Sequence, residues 1–394
     1  MLSRIGLKWL LSAATNAMLA LFVALGVLGF PASARAQHSP IITFDVPASN
    51  GNGTTPTAIN FIGVIVGDYN DANAVSHGFL RWPNGTFTTF DSPGAGTVPF
   101  DGNGTFPMSI NFLGVVAGYY NDSNFVSHGF IRTPDGKITT FDVPGADINP
   151  ADQLGSIVSG INALGVVAGY YYDSSAVAHG FLRNPNGKFT SFDAPGSSAS
   201  GTFVVGQINV EVAVAGFYTN SAPSFRAYIR NPDGTFVTFS APDACDTTIN
   251  AGCDGTGAYA INDAGTVVGA FRDSSGNFVA HGYLRQRDGT LTPFEAPGAG
   301  DGAYQGTGAY SFLGTPPGLN NLGATASLFL DGNYVFHGYV RSPQGTFVTF
   351  DAPGASLTPG GFAGTVPDCI NDLGVVSGFY IDANNVQHGF LRIP

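Results

Sequence analysis

The chain has 394 residues, 11% of them charged, with 15 basic against 27 acidic side chains and a formal charge of −12. That length suffices for a large core or several repeats. Few charges with 12% aromatic residues exclude a disordered chain, and 55 glycines with almost no helical periodicity exclude a coiled coil.

Residues 1–36 read as an export signal. Arg4 and Lys8 form a positive end, residues 17–30 an apolar run, and Pro31 breaks it. Ala32-Ser33-Ala34 and Ala34-Arg35-Ala36 offer small-residue cleavage sites, and cleavage is expected before Gln37. The rival reading is an uncleaved anchor helix, with the apolar stretch reaching back to Trp9. No cysteine stands near the site, which argues against a lipoprotein. Removing residues 1–36 takes away Arg4, Lys8 and Arg35 and no acid, leaving 12 basic against 27 acidic groups, a charge of −15. A secreted or periplasmic monomer is expected, with no stable membrane span after cleavage. So acidic a surface is a poor partner for nucleic acid or anionic membrane.

From residue 42 onward one pattern recurs. Its first half is His-Gly-Phe-x-Arg, starting at His77, His128, His179, Arg226 (as Arg-Ala-Tyr), His281, His337 and His388, with spacings of 51, 51, 47, 55, 56 and 51 residues. A turn follows at Asn84-Gly85, Asp135-Gly136, Asn186-Gly187, Asp233-Gly234, Asp288-Gly289 or Gln344-Gly345, then a run ending Phe-Asp-x-Pro or a variant of it. Asn-Gly and Asp-Gly between β-rich runs predict a two-residue type I′ hairpin. That turn would place Phe79 opposite Phe90, Phe130 opposite Phe141 and Phe181 opposite Phe192. It would likewise pair Tyr228 with Phe239, Tyr283 with Phe294 and Tyr339 with Phe350.

Between hairpins lies Ile-Asn-x-x-Gly and an apolar run, with asparagines at 60, 111, 162, 209, 262, 320 and 371; the fourth copy has Val212 in place of the glycine. Each repeat thus carries four antiparallel strands in about fifty residues, the size of a propeller blade. Residues 42–47 are a second half-hairpin without a first, and residues 387–392 a first half without a second. Pairing them, with Phe44 facing Phe390, closes a ring and covers two strand edges. The expected architecture is an all-β, seven-bladed β-propeller of four-stranded antiparallel blades over residues 37–394, as a single domain.

The repeated Ile-Asn-x-x-Gly-x-Val-x-Gly and His-Gly-Phe-Leu-Arg resemble the bacterial extracellular HAF-type repeat, over residues 42–394. Gly replaces the family's central Ala, and Arg226-Ala227-Tyr228 departs further. The resemblance implies an exported, propeller-like protein and offers no catalytic residues.

Candidate chemistry is sparse. Six repeat histidines on separate blades are too far apart to share a metal; contact with a backbone carbonyl or a neighbouring blade is expected instead. The repeat acids Asp45, Asp91, Asp142, Asp193, Glu295 and Asp351 read as turn holders. The Asp-x-Asn loops at Asp71 and Asn73, Asp122 and Asn124, Asp331 and Asn333, and Asp382 and Asn384 supply oxygens that calcium favours, without the rest of a calcium loop. Cys245 and Cys253 flank one loop and are candidates for a disulfide; Cys369 reads as a buried thiol. The residues that break the repeat are Glu211, Arg226, Arg272, Arg287 and Tyr304, and no hydrolase or phosphate-loop motif is present. The long loops gather acids on one face, where function is expected. The reading is a non-enzymatic binding or cell-envelope module for a glycan or protein, with no cofactor unless calcium. The alternative is a hydrolase or lyase acting on extracellular carbohydrate with aspartates at the loop face or axis.

Overall fold

The computed structural model describes residues 39–99, 102–198, 200–220, 225–245, 255–308 and 317–394. The export signal expected over residues 1–36, Cys253 and the insertion around Phe312 lie outside the described residues. Among the described residues there are 29 strands, one short 3-10 turn at Pro47–Ser49, and no helix long and apolar enough to cross a membrane. Pro40–Pro394 forms one compact unit.

Each repeat folds as a four-stranded antiparallel sheet of the propeller kind. In the first, Thr54–Ile59, Ile65–Asn70, Ser76–Arg81 and Phe87–Phe90 pair in chain order. The second begins at Gly104–Ile110, the third at Ser156–Ile161, the fourth at Thr202–Ile208 and the fifth at Thr256–Ile261, each in the same order. In the sixth, Gly306–Thr307 and Gly318–Leu319 both pair with Thr325–Leu330, so the first strand is split. The last takes its fourth strand from the other end of the chain: Ile41–Phe44 pairs antiparallel with Gln387–Arg392, Ile41 opposite Arg392.

The register differs from the expected one by a single residue. Phe90 lies opposite Gly78, and Phe79 opposite Thr89; Phe141, Phe192, Phe239, Phe294 and Phe350 likewise lie opposite Gly129, Gly180, Ala227, Gly282 and Gly338, and Phe44 opposite Gly389. The cause is the turn. Gly85 N–H donates to Trp82 O and Trp82 N–H to Thr86 O, both at 2.8 Å, and only Gly85 has a positive φ, of 86°. This is a three-residue loop, a type I turn closed by a left-handed glycine. A two-residue loop would make Pro83 the closing residue, which has no N–H to donate; in the type I turn its fixed φ fits the second position.

The slip puts aromatic residues on both faces of every sheet. Phe79 is fully buried with Phe87 beside it at 6.0 Å, while Phe90 points the other way onto Phe130 of the next repeat, at 6.1 Å. Each such ring contributes about 1.5–3 kcal/mol when fully buried. The outer-strand ring also lies flat over the glycine of His-Gly-Phe: a Cβ on Gly129 would stand 2.4 Å from the Phe141 ring. Over the outer-strand ring sits the arginine of the following repeat. Arg132 stacks on Phe90 at 4.9 Å, Arg392 on Phe350 at 5.1 Å, and Arg81 on Phe44 at 4.7 Å.

The asparagine turns fasten the inner strands. Asn60 Oδ1 accepts the Val64 amide at 3.0 Å, which leaves its Nδ2 free to reach Asn111 O at 3.5 Å. The same side-chain donation runs from Asn111 to Asn162, Asn162 to Asn209, Asn209 to Asn262, Asn262 to Asn320, and Asn320 to Asn371, at 3.0–3.2 Å. Asn371 Nδ2 donates to Asn60 O at 3.1 Å. Where Val212 replaces glycine it is forced to a φ of 72°, costly for a β-branched residue.

Candidate functional site

The corrected register explains the repeat histidine. If Gly78 faces Phe90, His77 faces Asp91, and His77 Nδ1 meets Asp91 Oδ1 at 2.8 Å. The same bond joins His128 to Asp142, His179 to Asp193, His281 to Glu295, His337 to Asp351 and His388 to Asp45. The expected contact with a carbonyl or neighbouring blade is replaced by a carboxylate of the same sheet, and the repeat acids hold histidines. A second carboxylate stands at the other ring nitrogen: Asp71 Oδ2 is 3.7 Å from His77 Nε2, and Asp173 Oδ2 3.4 Å from His179 Nε2. The ring itself stacks on the second strand, His77 on Tyr69 at 5.3 Å and His128 on Tyr120 at 4.9 Å. The hydrogen bond to Asp142 raises His128 above its ordinary value, and Glu295 and Asp351 do the same for His281 and His337.

These clamps account for the Asp-x-Asn loops. Asp71 Oδ1 accepts the amides of Asn73 at 2.8 Å and Val75 at 3.0 Å, and Asn73 Nδ2 donates to Asp71 Oδ2 at 3.3 Å. Asp122 with Asn124, Asp331 with Asn333, and Asp382 with Asn384 repeat this geometry. A calcium ion would have to compete with two amides and a histidine for each aspartate. Among the described residues no group of three or more His, Cys, Asp or Glu side chains is placed to hold a metal. Of the other loop-face acids, Asp101, Asp246 and Asp254 lie outside the described residues. Cys369 is 4% exposed and burial pushes its thiol up, while Cys245 is buried at the start of the loop that leads to Cys253. Two pairs of repeat-breaking residues meet: Arg287 Nη2 lies 3.2 Å from Glu211 Oε2, and Arg272 stacks over Tyr304 at 5.0 Å.

What varies is a belt on the upper second strand, at the position after its glycine or Ser327. The copies read Asp68, Tyr119, Tyr170, Phe217, Ala270, Leu328 and Phe379. Tyr119 stacks on Phe106 at 5.1 Å, Phe203 touches both Tyr170 and Phe217, and Phe217 touches Tyr259 at 6.4 Å. Asp68, Tyr119, Tyr170 and Phe217 are half-buried and border solvent. Burial, then the charge of Asp68, pushes the Tyr119 hydroxyl up to about 12.

Beside Asp68 stands Asp368, on the first strand of the last repeat. It is the extra residue of a bulge between Pro367 and Cys369. The residue is partly exposed, but its Oδ1 is sealed from solvent with no hydrogen-bond partner. Burial first, and Asp68 second, push this carboxyl well above the usual range. Two neighbouring carboxyl groups and a run of tyrosines can donate to hydroxyl groups, accept from them, and stack on the apolar face of a sugar ring.

No family model matches the chain, and no curated protein matches it. Among solved structures, puromycin hydrolase is similar with a TM-score of 0.48 and 11% identity, over 89% of this chain and 54% of that one. The chain therefore spans about half the length of that enzyme. AofleA from Arthrobotrys oligospora is similar with a TM-score of 0.41 and 12% identity, over 91% of this chain and 92% of that one. A putative gluconolactonase matches with a TM-score of 0.36 and 11% identity, over 71% and 84% of the two chains.

Neither Asp68 nor Asp368 stands out in a motif search, because each occupies a slot that other repeats fill with an uncharged residue. The available signal is the alignment of the repeats on themselves. At the bulge slot Asp368 replaces Thr57, Met108 and Ser159, the one acid among small or apolar residues.

Proposed function

We propose that the chain is an exported, closed seven-bladed β-propeller of the HAF-repeat type that acts as a non-enzymatic binding module, seating a glycan on the belt around Asp68, Tyr119, Tyr170 and Asp368. Closure is supported by the strand pairing of Ile41–Phe44 with Gln387–Arg392 and by the donation from Asn371 back to Asn60. The observation that carries the binding reading is the contrast between slots. Histidines, loop aspartates, asparagines and arginines recur and are used as internal fasteners. The belt changes chemistry from repeat to repeat, and a single asymmetric ligand needs such a surface.

The test is a glycan array followed by calorimetry on the mature protein, its Tyr119→Ala variant and its Asp122→Asn loop-face variant. Tyr119→Ala is expected to weaken binding by about tenfold, the equivalent of ~1.4 kcal/mol. Asp122→Asn should bind as the parent does. Binding that survives Tyr119→Ala and Asp68→Asn, or that requires Asp122, would move the ligand off the belt. A protein ligand in place of a glycan would overturn the class.

One observation favours a second reading. Asp368 is pushed up beside Asp68, and a raised carboxyl next to a second carboxyl group suits general acid catalysis. Under a hydrolase or lyase reading, Asp368→Asn would abolish turnover of the bound glycan.

A further inference from the structure

We propose that the histidine clamps at His128, His281 and His337 act together as a proton-operated latch, holding their sheets tightest at mildly acidic pH and loosening them as the pH rises. Each clamp ties three elements of one sheet: the loop between second and third strands, the third strand, and the end of the outer strand. Around His128 stand Asp122 from the loop, Asp142 from the outer strand and Tyr120 from the second strand, with Gly94 of the preceding repeat's loop against that tyrosine. His77 has Asp71, Asp91 and Tyr69; His179 has Asp173, Asp193 and Tyr171. His281 has Asp273, Glu295 and Phe271; His337 has Asp331, Asp351 and Phe329. His388 has Asp382, Asp45 and Tyr380. Since Asp45 follows the N-terminal strand directly, that last clamp fastens head to tail.

The chemistry follows from proton counting. An imidazolium has two N–H groups, one for each flanking carboxylate; neutral imidazole has one. Losing the second proton turns the loop aspartate from a partner into an opposing lone pair, 3.3–3.8 Å from a bare nitrogen. For His128, His281 and His337, whose values are raised in the fold, the stabilisation is complete below the ordinary imidazole value of about 6.5 and is lost as pH climbs through the raised one. The loop acids set the opposite limit. The Val177 amide holds Asp173 below the usual carboxylate range and the Val386 amide does so for Asp382, so their contribution is present above the ordinary value of about 3.9 and lost as pH falls through the lowered one. The fourth repeat carries Arg226 and Ser240 at the corresponding positions and has no histidine clamp.

Melting temperatures of the mature protein between pH 4.5 and 9, for the parent and a His128→Gln, His337→Gln variant, test this. The parent is expected to melt highest between about pH 5 and 6.5 and several degrees lower at the alkaline end, and the variant to show a shallower fall. A parent curve that is flat or rises above neutrality, or a variant with the same slope, overturns the proposal. Should the variant not fold, the imidazole titrations of His128, His281 and His337 in the parent, followed by NMR, decide: midpoints above the ordinary value support the latch, and midpoints at or below it refute it.

Discussion

Deleting residues 39–46 is expected to leave a protein that no longer unfolds as one cooperative body. The deletion removes the fourth strand of the last sheet, the Phe44 ring covering Gly389, the Arg81 stack, the Asp45 clamp on His388 and the bond from the Val46 amide to Thr54 Oγ1 at 3.1 Å. Buried Val46 and part-buried Phe44 are each worth up to about 1.5–3 kcal/mol, and each lost hydrogen bond about 0.5–1.5 kcal/mol. Together these approach the ~5–15 kcal/mol that holds a domain. The truncated chain also exposes the edges of Gln387–Arg392, an invitation to aggregate. A broad, probe-dependent melt with soluble aggregates is the expected result. A sharp melt at the parent temperature would mean that the N-terminal strand is dispensable.

The second large effect is expected at Asn371. Its side chain makes three bonds, two from the amides of Leu373 and Val375 to Oδ1 and one from Nδ2 to Asn60 O. The residue is 5% exposed, so the groups left behind are not rescued freely by water. Asn371→Ala is expected to cost about 3 kcal/mol, from three bonds of ~1 kcal/mol each. Asn371→Asp should cost more at neutral pH, because it keeps the acceptor, loses the donor and buries a charge. Chemical denaturation measures both, with exposed Asn84→Ala as a comparison expected to change stability by under about 1 kcal/mol.

Much of the fold could be read from the residues. The apolar runs after each Asn-x-x-Gly mark second strands, the His-Gly-Phe stretches third strands, and the half-hairpins at 42–47 and 387–392 the two strands that pair across the chain. Register could not be read from Asn-Gly alone. In the first repeat Pro83, whose missing N–H rules out the shorter loop, decides it, and Pro134, Pro185, Pro232 and Pro343 act in the same way; the fifth repeat has Arg287 there and keeps the same register. That single slip hides two things at once. It places Phe79 and Phe90 on opposite faces, and it places His77 across from Asp91, so the clamp becomes visible only once the turn is right. The belt was hidden for a different reason. Asp68 gains its meaning from Tyr119 and Asp368, which lie 51 and 300 residues further along the chain, and no local periodicity links them.

The most direct test of a ring joined head to tail is a disulfide between Ile42→Cys and Leu391→Cys. The two residues lie opposite each other, and facing residues of an antiparallel pair stand about 4.5–5.5 Å apart at Cα, within disulfide reach. Mild oxidation of the folded double variant is expected to give a monomeric, internally crosslinked chain that melts above its reduced form. Thiols that stay free, or that join only one molecule to another, would contradict the account.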